Sequence, residues 1–290
     1  MQIASLTPDL GAEIFDADPV ACSPAAWAEI EAAFARYRLL VFRDVTLTPN
    51  EQVAVTRRFG AIMRVPYITH LEEHPDIIAV LKEADEQRIA TFGGTWHSDF
   101  SFLEAPPKAS LLYALELPPS GGDTLWADQA RAFETLSPAL QDLLLGLDAV
   151  QTGWPHGTRG PKRQAGLSRS VKMVRGDPAA DREVLHPVVR FHAESSRPAL
   201  FVNPVYTQRF AGWTEAESAP LLGYLYDHAT RADFTCRLRW QPRSLAIWDN
   251  RATLHLAIND YDGHRRLLHR TTVAGERPLA ARDFVRGVAA

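Results

Sequence analysis

The apolar positions of the chain recur with two periods, and the strand-like stretches outnumber the helical ones. Runs at residues 39–42, 109–117 and 244–248 have the length and apolar character of buried strands. Helical spacing is clear at residues 25–37, where Trp, Ile and Phe recur on one side. Further strands are predicted at 77–81, 124–126, 183–191, 199–203, 234–240 and 264–273, and helices at 48–59, 130–147 (interrupted near 137–138) and 214–229. The pattern therefore predicts a mainly β fold with flanking helices, built around a β-sandwich core.

His97 and Asp99 are the most informative polar pair. They lie two positions apart in residues 95–102, a stretch rich in Thr, Trp and Phe that we predict to be a strand. Side chains at i and i+2 of a strand point to the same face, so both could bind one metal ion. The same alternation predicts that the side chains between and beside them face the other way: Trp96, Ser98 and Phe100.

A third candidate ligand, His255, precedes a turn-forming cluster at residues 259–263 and a predicted strand. If the two strands form a hairpin, His255 lies opposite Arg266, with Cβ atoms about 5 Å apart. Arg270 would share the face of Arg266 by the strand period of two. Two histidines and one carboxylate form the facial triad that leaves three open positions on a non-haem Fe(II).

At this point the chain resembles the Fe(II)- and 2-oxoglutarate-dependent dioxygenases of the taurine dioxygenase (TauD/TfdA) family. The resemblance implies a double-stranded β-helix, or jelly roll. Its second half is most similar to the phenoxypropionate-type dioxygenases of that family. The stretches that match, in the family's order and spacing, are Trp96-His-x-Asp99, Gly121-Gly-Asp-Thr-Leu-Trp126, Trp248-Asp-Asn250, His255 and Arg266 to Arg270.

The resemblance assigns roles to these residues. It implies that His97, Asp99 and His255 hold Fe(II) and that 2-oxoglutarate takes two further positions on the metal. Arg266 matches the residue that binds the distal carboxylate of 2-oxoglutarate, and Thr124 matches its hydroxyl helper. A guanidinium suits this task because it donates two parallel hydrogen bonds to a carboxylate. The implied reaction consumes O2, hydroxylates the substrate and yields succinate and CO2.

The substrate is expected to be an organic anion of the aryloxyalkanoate, alkyl sulfate or sulfonate type. Arg270 matches the position at which taurine-type enzymes meet the anionic group, while Val65 and Gly93 stand where those enzymes carry polar residues. Residues 152–176 contain six basic and no acidic side chains. This stretch is either a solvated insertion or a lid whose cations attract the substrate. The remaining histidines are expected to be structural: His70, His74, His156, His186, His192, His228, His264 and His269.

Three other functions stay open from the sequence. A non-catalytic jelly-roll protein could keep a metal site, and a family member could act on taurine itself. A halogenating member would need a small residue in place of the ligand Asp99, so hydroxylation is preferred.

Length and composition agree with one soluble domain over residues 1–290. The chain is 46% hydrophobic with a net charge of −4, which gives no indication of nucleic-acid binding. Its two cysteines predict no disulfide framework and fit a reducing cytoplasm. No apolar run approaches the ~20 residues of a transmembrane helix, so no membrane partner is expected. Homo-oligomerisation is left open.

Overall fold

The computed structural model describes residues 1–159 and 170–285. The strands are β1 (Gln2–Ser5), β2 (Ala12–Phe15), β3 (Leu39–Phe42), β4 (Ile78–Lys82), β5 (Ala109–Glu116), β6 (Thr124–Asp128), β7 (Asp148–Gln151), β8 (Val184–Pro187), β9 (Val189–His192), β10 (Arg197–Leu200), β11 (Thr207–Phe210), β12 (Thr235–Leu238), β13 (Leu245–Asp249), β14 (Thr253–Ala257) and β15 (Arg266–Val273). The helices are α1 (Pro24–Tyr37), α2 (Pro49–Phe59), α3 (Gln129–Glu134), α4 (Pro138–Leu145), α5 (Glu215–Ala229) and α6 (Arg282–Val285). The predicted mainly β fold with flanking helices is therefore confirmed.

The main sheet has seven strands in the order β1-β2-β3-β13-β5-β15-β4. Its neighbouring strands run antiparallel except for β2 and β3, which are parallel. Every residue of the central strands β3 and β13 is buried, as their continuous apolar runs predict. Smaller sheets have the orders β12-β6-β14, β11-β7-β8 and β10-β9.

One face of the main sheet packs against the three-stranded sheet β12-β6-β14. Leu39 and Val41 of β3 belong to the same buried cluster as Trp126 of β6 and Leu238 of β12. The ring of Trp126 meets Trp248 edge to face, with centroids 5.7 Å apart. This shared core fixes β14, which pairs with β6, relative to the main sheet.

Helices α1 and α2 cover the opposite face of the main sheet. The alternate residues of β3, Leu40 and Phe42, pack with Phe34 of α1 and Phe59 of α2. Helix α2 begins at a complete capping box in which the Thr48 and Glu51 side chains satisfy each other's backbone N–H groups. The sequence alone gave this boundary, because capping is a local interaction.

The predicted hairpin between residues 253 and 273 is wrong. Strand β14 pairs with β6, whereas β15 pairs with β4 and β5 in the main sheet. His255 therefore lies opposite Trp126, and Arg266 lies opposite Lys82. The connection crosses from one sheet to the other, and its first residue, Ile258, donates its N–H to the carbonyl of Asp123. Closeness along the chain does not decide which sheet a strand joins.

The predicted strand at residues 95–102 is also not formed. His97 makes a single antiparallel bridge with His255, and the chain then turns at Phe100, whose φ of 47° is left-handed. A high β-propensity favours a half-buried extended surface but does not supply the partner that a strand needs.

The predicted insertion, residues 152–176, lies between β7 and a short 3-10 helix at Pro178–Asp181. Residues 152–159 and 170–176 of it are described, and residues 160–169 lie outside the described part of the chain. Across the described ranges, no helix has both the length and the apolar character needed to cross a membrane.

Candidate metal and cosubstrate site

The structure brings His97, Asp99 and His255 together. His97 and His255 exchange backbone hydrogen bonds of 3.1 and 2.8 Å, which places their rings 4.1 Å apart between centroids. The Nε2 atoms of His97 and His255 lie 3.6 and 3.7 Å from Oδ1 of Asp99. One ligand atom from each residue lies within 4.8 Å of the other two, and all three residues are buried. The backbone bridge between His97 and His255 thus brings the candidate metal ligands together, although the predicted strand at residues 95–102 is not formed.

Neighbouring groups orient these side chains. Nδ1 of His97 lies 2.7 Å from the carbonyl of Thr95, so it donates there and leaves the Nε2 lone pair free. Oδ2 of Asp99 accepts a hydrogen bond of 2.7 Å from Ser110 and lies 2.9 Å from Nη2 of Arg270. Only Oδ1 of Asp99 then remains directed at the two Nε2 atoms. The donor set is that of a facial triad with one carboxylate oxygen.

The charges of the site favour the protonation states that bind metal. Burial alone would raise the pKa of Asp99, but Arg270 and the two histidines hold it far below its usual range. Burial lowers the pKa of His255 well below its ordinary value, and the nearby His97 lowers it further. An ionised carboxylate and a neutral imidazole are the forms in which these side chains coordinate a cation.

Arg266 is a buried cation without a carboxylate partner. Its side chain is 3% exposed, and its Nε and Nη2 atoms have no hydrogen-bond acceptor among the described residues. Burial lowers the pKa of this guanidinium, and Tyr261 opposes that effect. Since a buried unsatisfied donor costs free energy, Arg266 fits a site for an anionic group.

Thr124 is connected to Arg266 through Trp240 and to His255 through the pairing of β6 with β14. Thr124 lies opposite Ala257 of β14, and Trp126 lies opposite His255. Because residues two apart on a strand point to the same face, Thr124 lies on the same face of β6 as Trp126. Its hydroxyl accepts a hydrogen bond of 3.0 Å from Trp240, whose ring lies 5.9 Å from the Arg266 guanidinium carbon. Gly122 approaches Arg266 closely, because a Cβ at this position would lie 3.0 Å from Nε.

Arg270 is placed beside the triad. It is 3% exposed and forms an ion pair with Asp99. Its guanidinium carbon lies 5.9 Å from the centre of the Phe100 ring. A cavity opens beside His97 and Asp99, and its described lining includes neither Arg270 nor Arg266 nor Thr124.

That cavity, of about 400 Å³, opens beside His97 and Asp99. Its wall is largely apolar. Phe100, which was predicted to face away from the metal ligands, lines it because the backbone turns there. Gly93 lines it too, and a Cβ at this position would lie 3.4 Å from the His97 ring. The other lining residues are Ala90, Thr91, Phe92, Gly94, Thr95, Trp154, Pro155, His156, Val171, Met173, Arg175, Pro204, Val205, Tyr206 and Asn259.

His156 and Tyr206 are cavity residues that the sequence did not indicate. The His156 ring stacks on Phe100 at 6.0 Å, and burial lowers its pKa to about 4, so it is neutral at pH 7. Burial raises the pKa of Tyr206, and the charge of Asp99 raises it further. No spacing motif marks either residue. The only signal for His156 is its place inside the acid-free stretch of residues 152–176.

His192, by contrast, has a structural role. Its Nε2 lies 3.0 Å from Oδ2 of Asp249, the carboxylate of the Trp248-Asp-Asn250 stretch, and its Nδ1 lies 2.7 Å from the Ser195 hydroxyl. Arg251 donates to both oxygens of Asp249. These contacts satisfy the buried carboxylate of Asp249, which therefore needs no metal ion as a partner.

Comparison with known proteins agrees with this geometry. The profile of the family described as "Taurine catabolism dioxygenase TauD, TfdA family" matches residues 2–272. A sulfate ester dioxygenase of Pseudomonas putida, named as alpha-ketoglutarate-dependent, is 34% identical over 94% of this chain and 85% of its own length. An alpha-ketoglutarate-dependent 2,4-dichlorophenoxyacetate dioxygenase of Burkholderia sp. (strain RASC) is 32% identical over 89% of this chain and 88% of its own.

Solved structures extend the likeness to three dimensions. The crystal structure of a taurine dioxygenase from Burkholderia xenovorans superimposes with a TM-score of 0.77. It is 33% identical, and the match covers 96% of this chain and 92% of that one. The predicted jelly roll is thereby confirmed.

Proposed function

The chain belongs to the TauD/TfdA family of dioxygenases, and on that premise we propose that it hydroxylates a small organic anion with an apolar body. Its cofactors are Fe(II), 2-oxoglutarate and O2, as the family and the named activities of its relatives imply. One observation carries the proposal: three buried ligand atoms converge beside a largely apolar cavity of about 400 Å³.

The residues present fit the metal and the cosubstrate. His97, Asp99 and His255 would hold Fe(II). The Arg266 guanidinium, whose Nε and Nη2 have no acceptor among the described residues, would hold the distal carboxylate of 2-oxoglutarate together with Thr124. When bound, these groups supply the oxidation, in which one O2 and one 2-oxoglutarate give succinate, CO2 and a hydroxylated substrate. The protein's own part is to orient both partners and to exclude water with the apolar wall.

Several observations support an anionic substrate. The relatives include enzymes named for a sulfate ester, a sulfonate and a phenoxyacetate. Arg270 lies beside the metal ligands, and we propose that it contributes to holding the anion there. Gly93 leaves room next to His97 that a larger residue would fill. We therefore propose that the substrate is bulkier and more apolar than taurine.

The domain organisation and cellular location are proposals of the same kind. We propose a single domain over residues 1–290 that carries an insertion at 152–176. The described parts of this insertion contribute Trp154, Val171 and Arg175 to the cavity wall. The unpaired Cys22 and Cys236 support a reducing compartment such as the cytoplasm.

An anion should be the better substrate by a clear margin. We expect an aryloxypropionate or an alkyl sulfate to stimulate succinate formation, and its neutral ester or alcohol to be turned over at least about tenfold less efficiently, as loss of a charge-assisted contact predicts. The measurement is kcat/KM from succinate release, for the wild type and for Arg270→Ala.

Three outcomes would count against parts of this proposal. Equal turnover of the neutral analogue, together with an unchanged kcat/KM in Arg270→Ala, would refute the anionic substrate. A preference for taurine would refute the inference from Gly93 and Val65. Succinate release that no organic substrate stimulates would favour the non-catalytic alternative.

A further inference from the structure

Arg175 is the one arginine or lysine in the described lining of the cavity. It lies in the acid-free stretch, 95 positions before Arg270 in the sequence and outside the matched family motifs. Its side chain is half-buried, and Nη1 donates to the carbonyl of Pro155 at 3.1 Å. This contact holds the guanidinium against the wall while leaving its other N–H groups available.

The charge of Arg175 is not compensated by a carboxylate. No described acidic side chain forms an ion pair with it, and residues 160–169 contain no acidic residue at all. Asp99 is the only acidic residue in the described cavity wall, and its charge is shared with Arg270 and the two histidines. Burial keeps the neighbouring His156 neutral at pH 7. The uncompensated positive charge of the cavity is therefore that of Arg175.

Arg270 and Arg175 thus differ as partners for an anion. Arg270 is 3% exposed and absent from the cavity lining; its Nη2 lies 2.9 Å from Oδ2 of Asp99, and its Nε has no acceptor among the described residues. Arg175 lines the cavity, and among the described residues only its Nη1 has an acceptor. A guanidinium with further N–H groups to donate binds a carboxylate, sulfate or sulfonate with two parallel hydrogen bonds. Apolar residues such as Phe92 and Met173 line the same cavity and suit the body of such a molecule.

From these contacts we infer that Arg175 determines specificity by binding the anionic group of the substrate directly. This inference rests on the proposed function and names the residue that makes its cavity selective. Arg175 then adds its own discrimination between an anion and its neutral analogue to the contribution proposed for Arg270 beside the metal ligands.

The test compares Arg175→Gln with Lys172→Gln, using an alkyl sulfate and the corresponding alcohol. Lys172 is a matched control because it is an exposed cation three positions away and does not line the cavity. Dissociation constants are measured by calorimetry on the iron-loaded protein with 2-oxoglutarate under anaerobic conditions, and KM and kcat are measured from succinate release. Arg175→Lys shows whether charge alone suffices.

We expect Arg175→Gln to weaken binding of the alkyl sulfate, and to raise its KM, by about tenfold or more, with kcat and alcohol binding nearly unchanged. Lys172→Gln should behave as the wild type, and Arg175→Lys should recover part of the loss. Equal sulfate binding in Arg175→Gln and Lys172→Gln would overturn the inference, as would equal losses for sulfate and alcohol. Binding is measured without turnover, so the two hypotheses can fail separately. If the wild type binds the sulfate through Arg175 but releases no succinate, the proposed function is refuted and the role of Arg175 in binding is not.

Discussion

Replacing His97 or His255 with alanine should remove most of the bound iron and, with it, turnover. Each contributes one of the three convergent ligand atoms, and a site with two remaining ligands has lost a direct bond to the metal. Since loss of a residue that merely orients a ligand already costs about 10–100-fold in affinity, loss of a ligand should cost at least about a hundredfold. The measurement is the iron content of anaerobically reconstituted protein, determined together with turnover.

A suitable control is His228→Ala, a buried histidine on α5 that hydrogen-bonds the carbonyl of Ala132. This variant should keep its iron, and circular dichroism should show that all three variants are folded. Full iron content and full turnover in both His97→Ala and His255→Ala would refute the ligand assignment.

Arg266→Gln should raise the KM for 2-oxoglutarate much more than the KM for the substrate. The buried guanidinium has no other carboxylate partner in the described structure, so a charge-assisted pair is the interaction lost. Such contacts contribute about 1.5–3 kcal/mol, which corresponds to a change of about 10- to 150-fold. Steady-state kinetics gives both KM values, and anaerobic calorimetry gives the affinity for 2-oxoglutarate without turnover.

The neighbouring Arg265 provides a matched control. Its side chain pairs with Glu83 and Glu116 at the surface, so Arg265→Gln should leave the affinity for 2-oxoglutarate nearly unchanged. Arg266→Lys should recover little, because an ammonium group cannot donate the two parallel hydrogen bonds of a guanidinium. An unchanged affinity in Arg266→Gln, or an equal rise in both KM values, would contradict this role.

Local features of the fold were predictable because neighbouring residues determine them. Strand β3 is a continuous apolar run with the observed bounds, and α2 follows its capping box from Thr48 to Phe59. The predicted interruption of the third helical stretch is confirmed, since α3 ends at Glu134 and α4 begins at Pro138. In each case hydrophobic spacing and backbone capping act over a few residues.

Contacts between distant strands were not predictable in the same way. The sequence pattern predicted the strand at β15, and the hairpin hypothesis implied a second strand at His255, but neither could tell that β14 and β15 join different sheets. The convergence of His97 and His255 survives this error because it depends on a backbone bridge between residues 158 positions apart in the sequence, and not on the predicted hairpin. The family resemblance, and not the local strand geometry, carried that prediction.

The cavity wall was the least predictable part of the site. His156, Arg175 and Tyr206 come from segments without a regular period, and their shared surface exists only after the chain has folded. Arg175 was one of six basic residues in its stretch, with nothing in the sequence to separate it from the others. Only the three-dimensional arrangement shows which of these charges reaches the cavity.

The most direct test of the central assignment is anomalous diffraction at the iron edge, on crystals grown anaerobically with Fe(II) and 2-oxoglutarate. We expect one strong anomalous peak coordinated by Nε2 of His97, an oxygen of Asp99 and Nε2 of His255. The distal carboxylate of 2-oxoglutarate should bind to Arg266. The absence of iron at this position under saturating Fe(II), or a 2-oxoglutarate molecule bound away from Arg266, would contradict it.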